Sequence, residues 1–519
     1  MIISNLQGKN KPEHQIRMAI SEEENKMASP EKQDLLLQAE ENQSYARAQL
    51  GGAGLVPMGQ LKDLDELMPK PGGKLCLGME CLDRFLWDPR PAYDDIQKMG
   101  VYSVRIQSGW ARNEPEEGVY DFAALDEEIE ELLKRGILPW LCLCYGHPLY
   151  YEGDANALRA GGIGHVPIHT ERERMAWKNY VKKVVTRYSG RIKRFEVWNE
   201  PDVSVFFLGE TDWVKSYLDL LALTVPVIRE AAPDAQIIAC TGSYMGLEAL
   251  LKGGMGDLVD QYSFHNYSEY PEGQSADVRT ALRNLRDAYA PELTLIRGEA
   301  GCPSYNAPTS FGALHDMKTS ETIQAKWAAR HLIADFADPA VAETSYFHAY
   351  EFLHFSLQHH YYYGAIRRDY SRKPVYFVLQ RLARLFDGDT QAEPRWSASF
   401  HGQKKEDTPL VKCFAFERRG LPLFAYWRAE EICDQSAITM MKPRFLPSPG
   451  WKCPVLLDLL TGDLYALKDQ MEALPVAGYP LILTEAEALQ GLIPEDRLEK
   501  LLKNAGKGEA EKHSQYVEG

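Results

Sequence analysis

From Leu75 to about Leu385 the chain alternates short apolar runs with amphipathic segments, and this alternation limits the fold more than any other feature. The runs are Leu75–Gly78, Tyr102–Ile106, Ile137–Leu143, Arg194–Trp198, Gln236–Cys240, Asp260–Phe264, Leu293–Ile296 and Ser345–Tyr350. Between and after them, helical periodicity marks Tyr93–Met99, Leu125–Lys134, Trp177–Tyr188, Trp213–Ala231, Val278–Ala290, Thr322–Phe336 and Tyr376–Leu385. Gly100 and Gly136 stand where the first two of these helices should stop. Buried strands alternating with helices imply parallel pairing through right-handed crossovers. Eight such units over residues 73–388 predict an α/β chain folded as a (β/α)8 TIM barrel. An open doubly wound sheet satisfies the same pattern, because a strand count does not prove closure.

The flanks read differently. Residues 1–72 are polar and suggest an accessory arm, with one helix-like stretch near Pro30 to Leu50. Beyond Asp387, Val411–Phe416, Leu423–Trp427, Val455–Leu459 and Pro480–Thr484 are strand-like without helices between them, and Thr461-Gly462-Asp463 is a turn signal. A small antiparallel, β-sandwich-like domain is therefore expected over residues 389–488, followed by a helix and tail over 489–519. Lys plus Arg total 58 against 74 Asp plus Glu, a net charge of −16, which argues against nucleic acid or an anionic membrane as partner. No stretch approaches the ~20 apolar residues of a membrane span, and Met1 to Asn25 lacks the apolar core of a secretory signal. Nine cysteines at no framework spacing suggest reduced thiols and a cytoplasmic protein. Cys142 and Cys144 are too close together for a zinc site and read as packing. The composition is compatible with a homo-oligomer.

In an eightfold barrel the working residues lie at the C-terminal ends of the strands. Those ends carry Arg105 and Gln107, then Tyr145 and His147, then Trp198-Asn199-Glu200-Pro201-Asp202. The later strands supply His265 and Tyr267, Arg297-Gly298-Glu299, and His348, Tyr350 and Glu351. Two carboxylates, Glu200 and Glu299, thus stand at the mouths of strands four and seven. Such a pair suits glycoside hydrolysis, in which one carboxylic acid protonates the leaving oxygen. Carboxyls ~5–5.5 Å apart let the second attack the anomeric carbon directly, whereas ~6.5–9.5 Å admits a water and gives inversion. Arg105 is the expected cation, and Tyr267 the expected hydrogen-bond donor, holding Glu299 ionised.

Phe195-Glu-Val-Trp-Asn-Glu-Pro-Asp202 resembles the strand-four motif of the clan A retaining glycoside hydrolases, whose fold is the (β/α)8 barrel. The resemblance implies that Glu200 is the general acid/base and that Asn199 binds the sugar 2-hydroxyl. Ile296-Arg-Gly-Glu-Ala-Gly resembles the strand-seven segment and implies that Glu299 is the nucleophile. Tyr262-Ser-Phe-His-Asn-Tyr267 is similar to the strand-six segment whose His and Tyr line the nucleophile's site. Stretches at Trp110–Leu125 and at Tyr363-Gly-Ala-Ile with Lys373-Pro374 resemble those after strands two and eight, so the likeness covers residues 75 to about 385. The trailing β-domain resembles that of the β-xylosidase-like members, whose family also contains α-iduronidases. Two departures stand out. Arg297-Gly298 precedes the nucleophile where many members have Thr or Trp, and strand eight lacks the common sugar-stacking Trp, for which Tyr350 or Tyr346 would substitute.

A carbohydrate is the implied substrate, with neither cofactor nor metal. His147 and His265 are expected to orient carboxylates or touch sugar hydroxyls, the alternative being core histidines. Trp110, Trp198, Tyr145, Tyr267, Tyr350 and the Tyr361–Tyr363 cluster are expected to pack on sugar rings. Arg112, Arg297 or Arg367 would face the carboxylate of an acidic sugar. His359-His360 lacks a third ligand at metal spacing. A Gly-containing loop from Tyr150 to Thr170 would close one end of the cleft and favour exo action on small oligosaccharides. The alternatives are an endo-acting glycanase of the same clan, a non-catalytic carbohydrate-binding barrel, and metal-dependent hydrolysis, for which no ligand cluster is evident.

Overall fold

The computed structural model describes residues 30–151, 164–305, 313–314, 316–354, 359–402, 410–467 and 470–503. Eight parallel strands close into a barrel: β1 (Leu75–Gly78), β2 (Ser103–Gln107), β3 (Leu138–Leu143), β4 (Arg194–Val197), β5 (Gln236–Thr241), β6 (Gln261–His265), β7 (Thr294–Ala300) and β8 (Val341–Tyr346). Leu75 pairs with Thr344 to complete the ring, so the open-sheet alternative is excluded. The helices fall where the periodicity places them. Gly100 ends Tyr93–Met99 with φ +89, and Thr170 opens Glu171–Tyr188 with a full capping box.

The barrel interior explains the strand sequences. Cys76, Trp140, Ile238 and Ile296, one from each odd-numbered strand, pack as a small apolar layer. Arg105 of β2 and Arg194 of β4 each lie against the Trp140 ring, at 5.7 and 5.2 Å from its centroid. Arg194 pairs with Glu343 of β8 and donates to Ser103 Oγ at 2.6 Å. Arg105 belongs to the opposite, functional end. A polar β8 is thereby satisfied, which is why the apolar run Ser345–Tyr350 misplaced it: the strand begins at Val341 and ends before Phe347.

Beyond the barrel, Thr390–Ala392, Val411–Arg418, Leu421–Arg428, Pro454–Asp458, Asp463–Ala466 and Leu481–Glu485 form most of a seven-stranded antiparallel sheet. Ser397–His401, Thr439–Leu446 and Leu474–Val476 form a three-stranded one. The strand Pro57–Gln60 of the N-terminal arm pairs with Asp463–Ala466 and forms an edge of the large sheet. The arm's helix, Pro30–Gly52, reaches both units: Asn42 Nδ2 donates to Thr322 Oγ1 at 3.1 Å and to Asp434 Oδ1 at 3.2 Å. The polar reading of residues 1–72 missed this, because pairing with a distant strand leaves no local periodicity.

Candidate active site

Arg105, fully buried, organises the mouth of the barrel. Its Nε donates to Glu196 Oε2 at 2.8 Å, and Nη2 to Asn199 Oδ1 at 2.7 Å. Its Nη1 is shared between Glu80 Oε1 at 2.8 Å and Glu299 Oε1 at 2.7 Å. Tyr267 donates its hydroxyl to Glu299 Oε2 at 2.7 Å. His265 Nδ1 lies 2.7 Å from Glu200 Oε1 and 3.6 Å from Glu299 Oε2, while Nε2 lies 3.4 Å from Cys240 Sγ. An oxygen of Glu200 and one of Glu299 come within 4.8 Å of each other, beside the His265 ring. That closeness is on the side of the shorter separation, at which the second carboxyl attacks directly.

The backbone delivers these groups in ways that sequence does not display. Trp198 and Glu200 both sit in the left-handed region, at φ +67 and +47, around Asn199. Such conformations cost about 1–3 kcal/mol each and persist where the surroundings enforce them. Here the strand end is pinned from both sides. Trp198 is buried and donates Nε1 to Phe206 O at 2.8 Å, and Asp202 accepts from Gly242 N and Ser243 N at 2.6 and 2.7 Å.

On β7 a bulge pairs His265 with Glu299 rather than with Gly298. A Cβ at Gly298 would stand 2.8 Å from His265 Nε2 and within the radius of Ser263 Oγ, so only glycine fits beneath the histidine. The Arg297-Gly298 departure thus has a steric reason on its second residue. We expect Gly298→Ala to displace His265 or Glu299 and lower kcat by at least about a hundredfold, the order seen when reacting groups shift by ~1 Å. Steady-state kinetics beside a thermal melt would check it; a fully active, folded variant would contradict the packing argument.

The electrostatics separate the two carboxyls. Burial pushes Glu200 up, and its hydrogen bond to His265 only partly offsets this. Burial also works on Glu299, but the charges of His265 and Arg105 and the hydrogen bonds from Tyr267 and Arg105 outweigh it and hold that carboxyl below its ordinary value. Burial opposes a charge on His265 as well, yet Cys240, Glu299 and Glu200 around its nitrogens raise it well above the usual histidine range. Cys240 itself is pushed up to about 12 by burial and remains a thiol. The two shifts run in opposite directions, favouring a proton on Glu200 and a charge on Glu299. The expected kcat/KM profile against pH is a bell. Activity falls on the acid side only when Glu299 is protonated, below the ordinary glutamate value, and on the alkaline side only when Glu200 ionises, above that value. A single pH titration of kcat/KM checks both limbs, and an acid limb at or above the ordinary glutamate value would contradict the assignment.

The trios Glu196/Cys240/His265 and Glu200/His265/Glu299 have donor-type atoms close enough for a metal. Both rely on His265, however, and Glu299 already accepts from Arg105 and Tyr267, which makes the arrangement one of acid–base pairs.

The structure brings together Glu200, Glu299, Asn199, Arg105, His265 and Tyr267. It does not bring the other expected residues to the cleft. Trp110 is buried among Tyr150, Trp177 and Tyr180, with Nε1 on Glu114, because a short helix, Trp110–Asn113, turns it inward. His147 is a core histidine: Nε2 meets Glu114 O at 2.8 Å, and Nδ1 accepts from Leu149 N at 3.0 Å. Tyr350 lies beyond the end of β8 as a buried ring between Trp87 and Tyr370, with its hydroxyl on Arg368 O. Tyr145 and Trp198 are buried too. Tyr267, Tyr361 and Tyr362 keep part of their surface open, whereas Tyr363 is buried. Arg112, Arg297 and Arg367 are paired with Glu128, Asp335 and Glu321 respectively, and none is a free cation in the cleft. Most of the Tyr150–Thr170 loop lies outside the described residues, as do the side chains of His359 and His360.

Glu80, Glu196 and Cys240 escaped the sequence reading. Glu80 lies just past β1, an end that has only Gly78-Met79-Glu80 to signal it.

The profile of glycosyl hydrolases family 39 matches residues 95–401, more than half of the chain. The chain belongs to glycosyl hydrolases family 39. It is accordingly a glycoside hydrolase of clan A, and the site just described lies within the matched segment, apart from Glu80. Among solved structures, a family 39 glycoside hydrolase from the gut symbiont Bacteroides cellulosilyticus is similar at TM-score 0.58 and 19% identity over 82% of each chain. A β-xylosidase of the family from Caulobacter crescentus gives 0.52 and 15% over 83% of this chain and 98% of that one. A family member from Xanthomonas axonopodis pv. citri gives 0.50 and 16% over 80% and 95%. At these identities the likeness establishes the shared fold, barrel and β-domain together. No curated protein matches the chain in sequence. Among the described residues of this family 39 enzyme, no helix is long and apolar enough to cross a membrane.

Proposed function

We propose that the protein is a retaining, exo-acting β-glycosidase of small oligosaccharides, with Glu299 as nucleophile and Glu200 as acid/base. The observation that carries this reading is the pair of carboxyls with oxygens within 4.8 Å, burial raising Glu200 while His265, Arg105 and Tyr267 lower Glu299.

Glu299 attacks the anomeric carbon while Glu200 gives its proton to the departing glycosidic oxygen. The glycosyl ester then forms on Glu299, and the ionised Glu200 draws a proton from the incoming water. Asn199, its oxygen fixed by Arg105, keeps its amide N–H groups for a sugar hydroxyl beside the reacting carbon. Tyr267 and Arg105 hold the nucleophile's two oxygens so that little reorganisation is needed at the moment of attack.

The exo reading is supported by enclosure: the side chains of Glu200 and Glu299 are only 14% and 10% exposed, which suits a terminal sugar better than a polymer lying across the site. A β-xyloside is the first substrate to try, given the family member described as a β-xylosidase. Nine free cysteines, seven of them buried, favour a reducing, cytoplasmic setting.

The test is a panel of nitrophenyl β-glycosides and short oligosaccharides, with α-glycosides as controls. Release of terminal monosaccharide from at least one β-linked substrate is the expected result. Cleavage confined to internal linkages would favour the endo reading, and sugar binding without turnover the non-catalytic one.

A further inference from the structure

Arg105 is one guanidinium facing three buried carboxyls, Glu80, Glu196 and Glu299. Glu196 has the Nε edge to itself, whereas Glu80 and Glu299 both bind the same nitrogen, Nη1, at 2.8 and 2.7 Å. Glu299 has Tyr267 besides, and the His265 charge nearby; among the described residues Glu80 has no second side-chain donor, only its own main-chain N–H. Among the described residues its Oε2 is buried without a side-chain hydrogen-bond partner, as is Oε1 of Glu196, and Glu80 as a whole is 1% exposed.

The other groups around Glu80 do not neutralise it. His348 approaches Oε2 only to 3.6 Å, beyond hydrogen-bond reach, because its Nε2 is engaged by the main-chain oxygen of Glu80 at 3.0 Å. Burial pushes that histidine down to about 4, so its ring is uncharged. Arg84 pairs with Asp83, and the adjacent Cys81 is raised by burial and stays a thiol. An unpartnered buried carboxylate oxygen is costly, and a proton on it removes the cost.

We infer that Glu80 is a positioning residue that holds a proton while Glu299 is an anion, and gives it up when Glu299 becomes a neutral glycosyl ester. In the resting enzyme a neutral Glu80 leaves the Arg105 charge to the nucleophile. In the covalent intermediate Glu299 no longer carries charge, and an ionised Glu80 takes its place on Nη1, so Arg105 is never left without an anionic partner on that edge. Burial and the charge of Glu299 lift Glu80, Arg105 and the main-chain N–H of Glu80 offset part of that, and the balance stands at about 7, which agrees with this exchange. Glu80 touches neither sugar nor leaving group and acts through Arg105 alone. The inference rests on the proposed role of Glu299.

The test traps the intermediate with a dinitrophenyl 2-deoxy-2-fluoro-β-glycoside of the preferred sugar. The bond from the anomeric carbon to the aryl oxygen breaks, the aryl oxide leaves with the electron pair, and a bond to Glu299 forms, so this chemistry itself consumes and releases no proton. The Glu200→Gln background removes the acid/base from the count. Proton release on trapping is read with an indicator dye in weak buffer at about pH 6, where Glu80 is still mostly protonated. We expect most of one proton per trapped site in Glu200→Gln, and loss of that release in Glu200→Gln/Glu80→Gln. Release that persists in the double variant, or none in the single one, overturns the inference. Should the double variant not fold, the infrared difference spectrum of the single variant decides: disappearance of a protonated-carboxyl band on trapping supports the exchange, and its persistence opposes it. Absence of the aryl-oxide burst or of label on Glu299 would instead refute the role of Glu299, which keeps the two failures apart.

Discussion

Glu299→Gln should lower kcat on an aryl β-glycoside by at least about four orders of magnitude, or ~5.5 kcal/mol of transition-state stabilisation. The amide retains the shape of the carboxyl and removes its charge. It also sets an NH2 group against either Arg105 Nη1 or the Tyr267 hydroxyl, both of which donate to Glu299 in the native protein. Neither neighbouring carboxyl should replace the lost nucleophile: Glu80 is 1% exposed and bound to Arg105 Nη1, and Glu200 is assigned to the leaving group. The fold should survive, since the side chain is one of many at the mouth and lies outside the apolar layer of Cys76, Trp140, Ile238 and Ile296. Kinetics paired with circular dichroism separate loss of chemistry from loss of structure. A folded variant within tenfold of wild type would refute the assignment.

Glu200→Ala should produce a different defect, one that depends on the leaving group. Substrates that need protonation at the departing oxygen should lose about 10²–10⁴-fold, the usual worth of a positioned general acid. Dinitrophenyl glycosides, whose oxide departs unaided, should still form the glycosyl-enzyme and then stall, because nothing activates the water. Azide, which needs no base, should enter the space left by the carboxyl and restore turnover, yielding the β-glycosyl azide. The anion would sit beside the His265 nitrogen that now meets Glu200 Oε1 at 2.7 Å. A variant slowed equally on all leaving groups and untouched by azide would place the acid/base elsewhere.

The barrel was readable because eight apolar runs alternate with amphipathic helices, and the paired glutamates because each ends such a run. Position along a strand is what a sequence conveys; the direction of a side chain is not. Glu299 reaches the site through the bulge at Gly298, and Glu200 through a left-handed backbone, neither of which an apolar pattern registers. Trp110, His147 and Tyr350 failed as site residues for the converse reason. All three follow strand ends, but tight turns carry them into the core, where Glu114, main-chain oxygens and neighbouring rings satisfy them. The expected aromatics therefore serve mostly to pack the barrel mouth, and of them Tyr267, Tyr361 and Tyr362 keep part of their surface open. The edge strand Pro57–Gln60 and the polar strand Thr439–Leu446 were invisible because their partners are distant in sequence.

The most direct test of the central claim is the anomeric configuration of the first-formed sugar, followed by proton NMR during hydrolysis of an aryl β-glycoside. With the two carboxyls within 4.8 Å of each other, the β-anomer should appear first and mutarotate afterwards. Initial appearance of the α-anomer would contradict it.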